Sequence, residues 1–207
     1  MVLDLLDGAK VFAQGDAADA VYAIVGGEGQ VRIGSINRRS KRVMVEVLQR
    51  GDLFGEIAVI DGGTRTADAT ADGSVRLARI DGPTFLSVLA DTPLQGINLC
   101  RMLARRIRRT YSLFLDAAFE PLEVRLARQL LYLASLSGQP IEETARLQGR
   151  LREADLANLL GATPRSIITI LNAWRSRGLL TYDTAIGQLT IRPKRIRQEL
   201  ISAVDAV

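Results

Sequence analysis

Residues 54–71 read FGEIAVIDGGTRTADATA, and this stretch decides how the N-terminal half of the chain is interpreted. Glu56 and Arg65 stand nine positions apart among small residues, and Thr66 and Ala67 follow at once. A guanidinium binds two phosphate oxygens, a hydroxyl adds a third donor, and small residues let backbone amides approach closely. A nearby glutamate can accept a hydrogen bond from a ribose hydroxyl. The stretch therefore predicts a pocket for a small phosphorylated ligand, with a plain Glu56–Arg65 ion pair across a hairpin as the alternative.

The composition of the 207-residue chain is that of a globular protein, with 47% apolar and 24% charged residues. No window approaches the roughly 18 uninterrupted apolar residues of a membrane-spanning helix. The N-terminus, MVLDLLDGAK, carries acids where a secretory signal carries basic residues. We therefore expect a cytoplasmic protein that does not contact a membrane.

Two residue types on which many enzymes depend are absent or nearly so, because the sequence has no histidine and one cysteine, Cys100. This excludes histidine-dependent catalytic triads, histidine-ligated zinc or haem, and iron–sulfur clusters held by several cysteines of one chain. Carboxylate or Ser–Lys chemistry stays open. We expect no catalytic residue, no metal, no haem and no iron–sulfur cluster.

The region before residue 82 has stretches that alternate with a period of two, as half-buried strands do. Glycine-containing turns separate them, and short strands at this spacing favour a sandwich or a jelly roll. The clearest strand-like segments are VYAIV (21–25), QVRIGSI (30–36), RVMVEVLQ (42–49) and VRLARI (75–80). We assign residues 1–93 to this β domain.

Residues 94–119 change to a helical pattern with an apolar seam. The apolar positions lie alternately three and four residues apart, which is the a/d spacing of a helix paired with another helix. The seam consists of Ile97, Cys100, Ala104, Ile107, Tyr111, Phe114 and Ala118. We predict a parallel homodimer through this helix, and the alternative is a helix packed only on its own domain.

A proline break at residues 119–121, Phe-Glu-Pro, ends the long helix and starts another that is expected to stop near residue 138. We assign residues 120–207 to a third region. Within it, residues 153–178 read EADLANLLGATPRSIITILNAWRSRG, which predicts helix, tight turn and helix. The following segment 179–193, LLTYDTAIGQLTIRP, reads as strand, turn and strand, so the module is predicted to be winged.

The boundaries of the two helices follow from their caps. Gly161 ends the first helix, while Thr163 is the expected N-cap of the second and Pro164 its first residue. The apolar face of the second helix is predicted to be buried. Its members are Ile167, Ile168, Ile170, Leu171 and Trp174.

The other face of the second helix suits DNA, because this helix enters the major groove with its N-terminal end leading. Residues 161–197 hold seven basic residues and one acid, which favours a polyanionic partner. Arg175 and Arg177 at the far end are candidates for phosphate neutralisation. The candidate DNA contacts at the leading end are Thr163, Arg165, Ser166 and Thr169. The alternative is a helical pair that docks a protein and does not touch DNA.

The opening stretch also resembles the phosphate-binding cassette of cyclic-nucleotide-binding domains, with the pattern F-G-E-aliphatic-small-aliphatic, a short loop and R-S/T-A. The matching residues are Phe54, Gly55, Glu56, Ile57, Ala58, Val59, Arg65, Thr66 and Ala67. Over residues 10–195 the chain resembles the CRP/FNR family of bacterial transcription regulators. The resemblance implies an α+β chain with an N-terminal β jelly-roll cyclic-nucleotide-binding domain, a long dimerisation helix and a C-terminal winged helix-turn-helix.

The resemblance implies a role for each cassette residue. Glu56 would hold the ribose 2′-hydroxyl, and Arg65 and Thr66 would bind the cyclic phosphate. The site would be lined by the backbones of Gly55, Ile57 and Ala67.

Selectivity for the base depends on two further positions. In cyclic-AMP-responsive members the long helix offers hydroxyl residues to adenine, and Thr110 and Tyr111 stand at that place. Tyr111 is larger than the serine usual there, and Thr66 after Arg65 also resembles the Arg-Thr-Ala of cyclic-GMP-binding kinases. Cyclic AMP is therefore the expected effector, with cyclic GMP or another nucleotide as the alternative.

The resemblance finally implies the partners: a homodimer on a palindromic double-stranded DNA operator, and RNA polymerase. Pro164, Arg165 and Thr169 differ from the residues that the cyclic-AMP receptor protein presents, so we expect a different operator. The effector would bias a hinge at residues 119–121 toward a geometry that matches both half-sites. The alternative is a nucleotide-sensing interaction module that does not bind DNA.

Overall fold

The computed structural model describes residues 1–36, 42–135, 143–147, 152–183 and 188–201. Contacts divide the chain into two compact units, Met1–Ile107 and Arg108–Val207. The boundary between the units falls inside one long helix. The functional boundaries expected at 93/94 and 119/120 stay predictions. None of the helices formed by the described residues is long and apolar enough to cross a membrane.

The N-terminal unit consists of eight strands within its described residues, two short helices and the first part of the long helix. The strands are β1 (Val2–Leu5), β2 (Lys10–Phe12), β3 (Ala20–Gly27), β4 (Gln30–Ile36), β5 (Arg42–Leu48), β6 (Leu53–Phe54), β7 (Asp68–Asp72) and β8 (Val75–Asp81). The helices are α1 (Glu56–Asp61), α2 (Gly82–Asp91) and α3 (Pro93–Phe119), of which α3 continues into the second unit.

These strands form two antiparallel four-stranded sheets, ordered β1-β8-β3-β6 and β2-β7-β4-β5. Both sheets contribute alternate residues to one core, which is why period two was visible in the sequence. The buried core residues are Ala20, Tyr22, Ile24, Val31, Leu48, Phe54, Ala69, Ala71, Val75 and Leu77. The jelly-roll prediction is confirmed, and its four strand-like segments correspond to β3, β4, β5 and β8.

The C-terminal unit packs helices around a small sheet. Its further elements are α4 (Leu122–Ser135), β9 (Ala145–Arg146), α5 (Glu153–Leu160), α6 (Pro164–Ser176), β10 (Leu180–Asp183), β11 (Gln188–Ile191), α7 (Pro193–Ile196) and a π-helical turn (Arg197–Ile201). The antiparallel strand order β10-β11-β9 confirms the predicted wing strands. The wing turn expected at 184–187 and the helix end expected near residue 138 lie outside the described residues.

The proline break between the long helix and the next one is confirmed, because α3 ends at Phe119 and α4 begins at Leu122. An ion-pair cluster spans this break. Arg128 of α4 pairs with Asp116 of α3 and, at 3.2 Å, with Glu120 in the connection. The end of α3 and the middle of α4 are thus held together by charge as well as by chain connectivity.

The helix-turn-helix boundaries follow the caps that the sequence predicts. Gly161 has a φ of 62°, a left-handed conformation that glycine adopts without steric cost, and it ends α5. The hydroxyl of Thr163 accepts a hydrogen bond from the backbone amide of Ser166 at 3.1 Å and caps α6. Local side-chain chemistry therefore sets both helix ends.

Helix α6 buries a narrower face than the sequence predicts. Ile167 and Trp174 are both 0% exposed, and seven residues separate them, so they lie on the same side of the helix. Ile168 is 43% exposed, so the prediction that it is buried is wrong. Successive helical residues point about 100° apart, which turns Ile168 away from the core that holds Ile167.

Neighbouring isoleucines in α6 give a direct test of this packing. Ile167→Ala should lower the free energy of unfolding by about 2–5 kcal/mol, because it removes buried methyl groups and leaves a cavity. Ile168→Ala should lower it by less than about 1 kcal/mol, since that side chain is already partly in solvent. Urea denaturation followed by circular dichroism measures both values. Equal losses in the two variants would contradict the observed orientation of α6.

Candidate functional site

The cassette begins at α1, a six-residue helix bounded by two glycines in left-handed conformations. Gly55 precedes it with a φ of 79°, and Gly62 follows it with a φ of 72°. A Cβ atom on Gly55 would lie 2.7 Å from Nη1 of Arg65. Glycine is therefore needed at position 55 both for the backbone conformation and to leave room for the guanidinium.

The guanidinium of Arg65 is buried and is held by backbone oxygens. Arg65 is 3% exposed, and it donates from Nη1 to the carbonyl of Gly55 and from Nη2 to that of Ala20, each at 2.7 Å. Its central carbon lies 4.2 Å from the ring centre of Phe12, in cation–π geometry. Asp19 is 3.8 Å away but largely exposed, so it neutralises the charge only weakly.

One donor of this guanidinium has no protein acceptor among the described residues. The Nε of Arg65 is buried and makes no hydrogen bond. A buried N–H without an acceptor costs about 1–3 kcal/mol, so such groups are rare in folded proteins. Arg65 is followed in the chain by the exposed Thr66, and the sequence predicts that these two residues bind a phosphate.

The carboxylate of Glu56 is also buried, at 1% exposure, but Arg65 is not its partner. Oε1 of Glu56 accepts from Nη1 of Arg106 on α3 at 2.7 Å. Arg106 also donates to the carbonyl of Leu53 at 2.8 Å, and its Nε lies 3.4 Å from Glu46. The Glu56–Arg65 ion pair that the sequence left open is therefore not formed in the described part of the chain.

Arg106 is a site residue that the sequence analysis missed. Its signal in the sequence is its place outside the predicted apolar seam of α3. Nothing local links it to Glu56, because 50 positions separate the two residues. Long-range ion pairs of this kind are visible only in the fold.

The remaining predicted ligand residues differ in exposure. Thr66 is exposed and Ile57 is 45% exposed, whereas Ala67 is buried at 7%. Thr110 and Tyr111 are exposed residues of α3 beyond residue 107, so they belong to the second unit. The N-terminal unit thus brings together the cassette residues and Arg106, and it does not include the two residues expected at the base.

The described residues also contain no cluster of histidine, cysteine or carboxylate side chains fit to hold a metal ion. The polar groups of the cassette are instead a guanidinium, a hydroxyl and a carboxylate already paired with an arginine. This donor set matches a phosphorylated ribose better than a cation.

The helix-turn-helix residues fall into two groups. The hydroxyls of Thr163 and Ser166 are 2.9 Å apart and cap α6, so they serve the turn itself. Arg165, Thr169 and Arg175 are exposed on the surface of α6. The exposed group remains the better candidate for contacts with bases and phosphates.

Arg177 lies in an ion-pair network that the sequence analysis missed. It pairs with Glu199 at 3.0 Å and approaches Glu123 at 3.5 Å, while Arg195 also pairs with Glu199 at 3.0 Å. Hydrogen bonds from Arg195 and then Arg177 hold the pKa of the Glu199 carboxyl below its usual value. Any phosphate contact by Arg177 therefore competes with two acids of its own chain.

The fold and the two sites define a class of proteins that join a nucleotide-binding β domain to a DNA-reading module. The model of the cyclic nucleotide-binding domain family matches residues 3–92. The model of the Crp-like helix-turn-helix domain family matches residues 124–195.

Comparison with known proteins identifies the family. The chain is 33% identical over 181 residues to the CRP-like cAMP-activated global transcriptional regulator of Mycobacterium tuberculosis, covering 87% of this chain and 80% of the relative. It is 28% identical over 194 residues to the cyclic AMP receptor protein of Thermus thermophilus, covering 93% and 84%. The chain belongs to the CRP/FNR family of transcription regulators.

Solved structures agree in fold. FixK2 from Bradyrhizobium japonicum superposes with a TM-score of 0.81 at 18% identity and 96% coverage of both chains. The c-di-GMP responsive global regulator CLP of Xanthomonas campestris superposes with a TM-score of 0.76 at 20% identity and 93% coverage of both chains. The α+β fold class is confirmed, as is a family with cyclic-nucleotide-binding and DNA-binding domains.

Proposed function

We propose that this protein is a cytoplasmic homodimeric transcription regulator whose binding to a palindromic operator responds to cyclic AMP. The observation that carries the effector part is the buried Nε of Arg65, which has no acceptor among the described residues, in a residue that immediately precedes the exposed Thr66. A cyclic phosphate would supply the missing acceptor and accept from the hydroxyl as well. The names of the similar proteins from two bacteria favour cyclic AMP as the effector.

Cyclic GMP or another nucleotide is the second candidate effector. The hydroxyl of Thr66 binds a phosphate whichever purine is attached, so the cassette does not select the base. A structural neighbour is described as responsive to c-di-GMP, which shows that this fold accommodates more than one effector class. Base contacts from Thr110 and Tyr111 would decide between them, and both remain part of the proposal.

The apolar seam of α3 supports the homodimer. Its large members are exposed in the single chain: Ile97 is 49% exposed, Ile107 59%, Tyr111 67% and Phe114 68%. Apolar side chains repeated at a/d spacing along one helix are stabilised when a second helix covers them. A parallel pair would also place two recognition helices for half-sites about 34 Å apart.

DNA and RNA polymerase are the proposed macromolecular partners. The exposed side chains of Arg165, Thr169 and Arg175 on α6 support the DNA contact. Membership of the CRP/FNR family supports RNA polymerase as a partner. An interaction module that senses a nucleotide without binding DNA is the alternative, and a DNA affinity that falls steeply with salt would exclude it.

Thr66 tests the effector site without disturbing the buried core. Arg65→Ala is a poor test, because Arg65 also ties the cassette to Gly55 and Ala20. Thr66→Val should weaken cyclic AMP binding about 10-fold to 150-fold, because a hydrogen bond to a charged group contributes about 1.5–3 kcal/mol. Isothermal titration calorimetry measures the affinity. The exposed Thr64 is the matched control, and Thr64→Val should leave the affinity unchanged.

The single cysteine tests the dimer seam. Cys100 is exposed and lies at a seam position, so a parallel pair brings two copies within disulfide distance. Mild oxidation should therefore give a cross-linked dimer on a non-reducing gel. Asn98→Cys in a Cys100→Ser background places the thiol on another face of the helix and should cross-link far less. Equal cross-linking of the two proteins would contradict the proposed seam.

Two arginines of α6 test DNA reading. Arg165→Ala should lower the affinity for a duplex selected from a random pool by about 1–3 kcal/mol, and it should reduce discrimination against a scrambled duplex. Arg175→Ala should lower the affinity for both duplexes by the same factor, since phosphates carry no sequence information. It should also reduce the slope of log affinity against log salt concentration by about 1. Fluorescence anisotropy measures both effects. Uniform weakening by Arg165→Ala would refute its assignment to base edges.

A further inference from the structure

Helix α6 is anchored near its C-terminal end by the buried side chain of Trp174. Trp174 is the single tryptophan of the sequence and is 0% exposed. Its indole Nε1 donates a hydrogen bond of 2.6 Å to Oε1 of Glu123, in the first turn of α4. A buried indole N–H needs an acceptor, and this carboxylate supplies it.

The hydrogen bond from Trp174 to Glu123 depends on direction, unlike the apolar contacts that surround α6. Ile167 and Trp174 share the buried face, but contacts between apolar side chains are not directional. The hydrogen bond to Glu123 requires the donor and acceptor to be aligned, so it adds a directional constraint on the rotation of α6 about its own axis.

The anchor and the DNA-reading end belong to one rigid element. Arg165 precedes Trp174 by nine residues, about 13 Å along the helix axis at 1.5 Å per residue. A rotation of α6 at Trp174 therefore turns Arg165 and Thr169 by the same angle. Bidentate base contacts tolerate little rotation, because their two hydrogen bonds must align together.

We propose that Glu123 is a positioning residue for sequence reading, acting through the indole of Trp174. Its carboxylate holds α6 in the rotation that presents the exposed side chains of Arg165 and Thr169 to the major groove. The approach of Arg177 to the same oxygen, at 3.5 Å, is secondary, since Arg177 is also held by Glu199. This inference rests on the proposed DNA reading by α6.

The test compares two substitutions at Glu123 in the full-length protein. The probes are the duplex that the wild type selects from a random pool and a scrambled duplex of the same composition. Glu123→Ala should reduce the ratio of the two affinities about tenfold, comparable to one mismatched base pair. Glu123→Gln should keep the ratio within about twofold of wild type, because the amide oxygen still accepts from the indole.

Fluorescence adds a readout that reports on the anchor alone. Since Trp174 is the single tryptophan, its emission monitors this indole. Glu123→Ala should shift the emission, and Glu123→Gln should restore it. Trp174→Phe should reduce the affinity ratio as Glu123→Ala does, and the double variant should lose no more, because both changes remove the same bond.

Glu199→Gln is the matched control for charge. It removes an acid that pairs with Arg177 and leaves the indole bond in place, so the affinity ratio should not change. A Glu123→Ala protein that is folded and keeps the wild-type ratio would overturn the proposal. So would a Glu123→Gln protein as impaired as Glu123→Ala, because charge would then be the cause. If Glu123→Ala does not fold, the affinity ratios of the other two variants test the proposal. A wild-type ratio in Glu123→Gln with a reduced ratio in Trp174→Phe would support it, and any other pair of results would overturn it.

Failure of the broader function is distinguishable from failure of this inference. A wild type that enriches no sequence from the pool would refute DNA reading by α6, and the positioning role with it. A wild type that enriches a sequence, with a ratio unaffected by Trp174→Phe, would refute the positioning role alone.

Discussion

The buried carboxylate of Glu56 is the constraint on which the N-terminal unit depends. A carboxylate at 1% exposure needs a partner, because removing one member of a buried ion pair costs about 3–5 kcal/mol. The partner is Arg106, so the first part of α3 is held on the β-sandwich by charge and by the carbonyl of Leu53. The position of α3 in this unit and the chemistry of the cassette are therefore set by the same contact.

This arrangement separates the two charges of the cassette. Arg106 of α3 neutralises Glu56, so the contacts of Arg65 are two backbone carbonyls, the ring of Phe12 and the largely exposed Asp19. A guanidinium satisfied mainly by neutral groups keeps most of its positive charge available to an anion. A ribose hydroxyl beside Glu56 would share that carboxylate with Arg106. In the proposed function, effector binding would thus act directly on the contact that holds α3.

The parts of the fold that the sequence predicts correctly are those with local causes. Gly161, Thr163 and Pro164 fix the ends of α5 and α6 through backbone preference and capping, and the structure confirms each of them. The period-two pattern does not reveal helix α2, although Asp81 caps it. The hydrogen bond from the backbone amide of Thr84 lowers the pKa of the Asp81 carboxyl. Helix α1 has no comparable signal, since six residues between two glycines read equally well as a turn.

The site was predictable in its residue types but not in its partners. Glu56, Arg65 and Thr66 indicate a ligand with a ribose and a phosphate from their chemistry alone. A carboxylate accepts from ribose hydroxyls, and a guanidinium and a hydroxyl donate to phosphate oxygens, in any fold. The pairing of Glu56 with Arg106 spans 50 positions and depends on tertiary packing. The same holds for Trp174 and Glu123, which are 51 positions apart. Sequence spacing carries no information at that range.

The proposed function requires that a cyclic nucleotide changes the affinity of this protein for DNA. Its most direct test is a fluorescence anisotropy titration of a selected operator duplex at fixed salt, without effector and with saturating cyclic AMP or cyclic GMP. Cyclic AMP should lower the Kd about 5-fold to 150-fold, the usual range of allosteric coupling, and cyclic GMP should have a smaller effect. An identical Kd under all three conditions would contradict the proposed function.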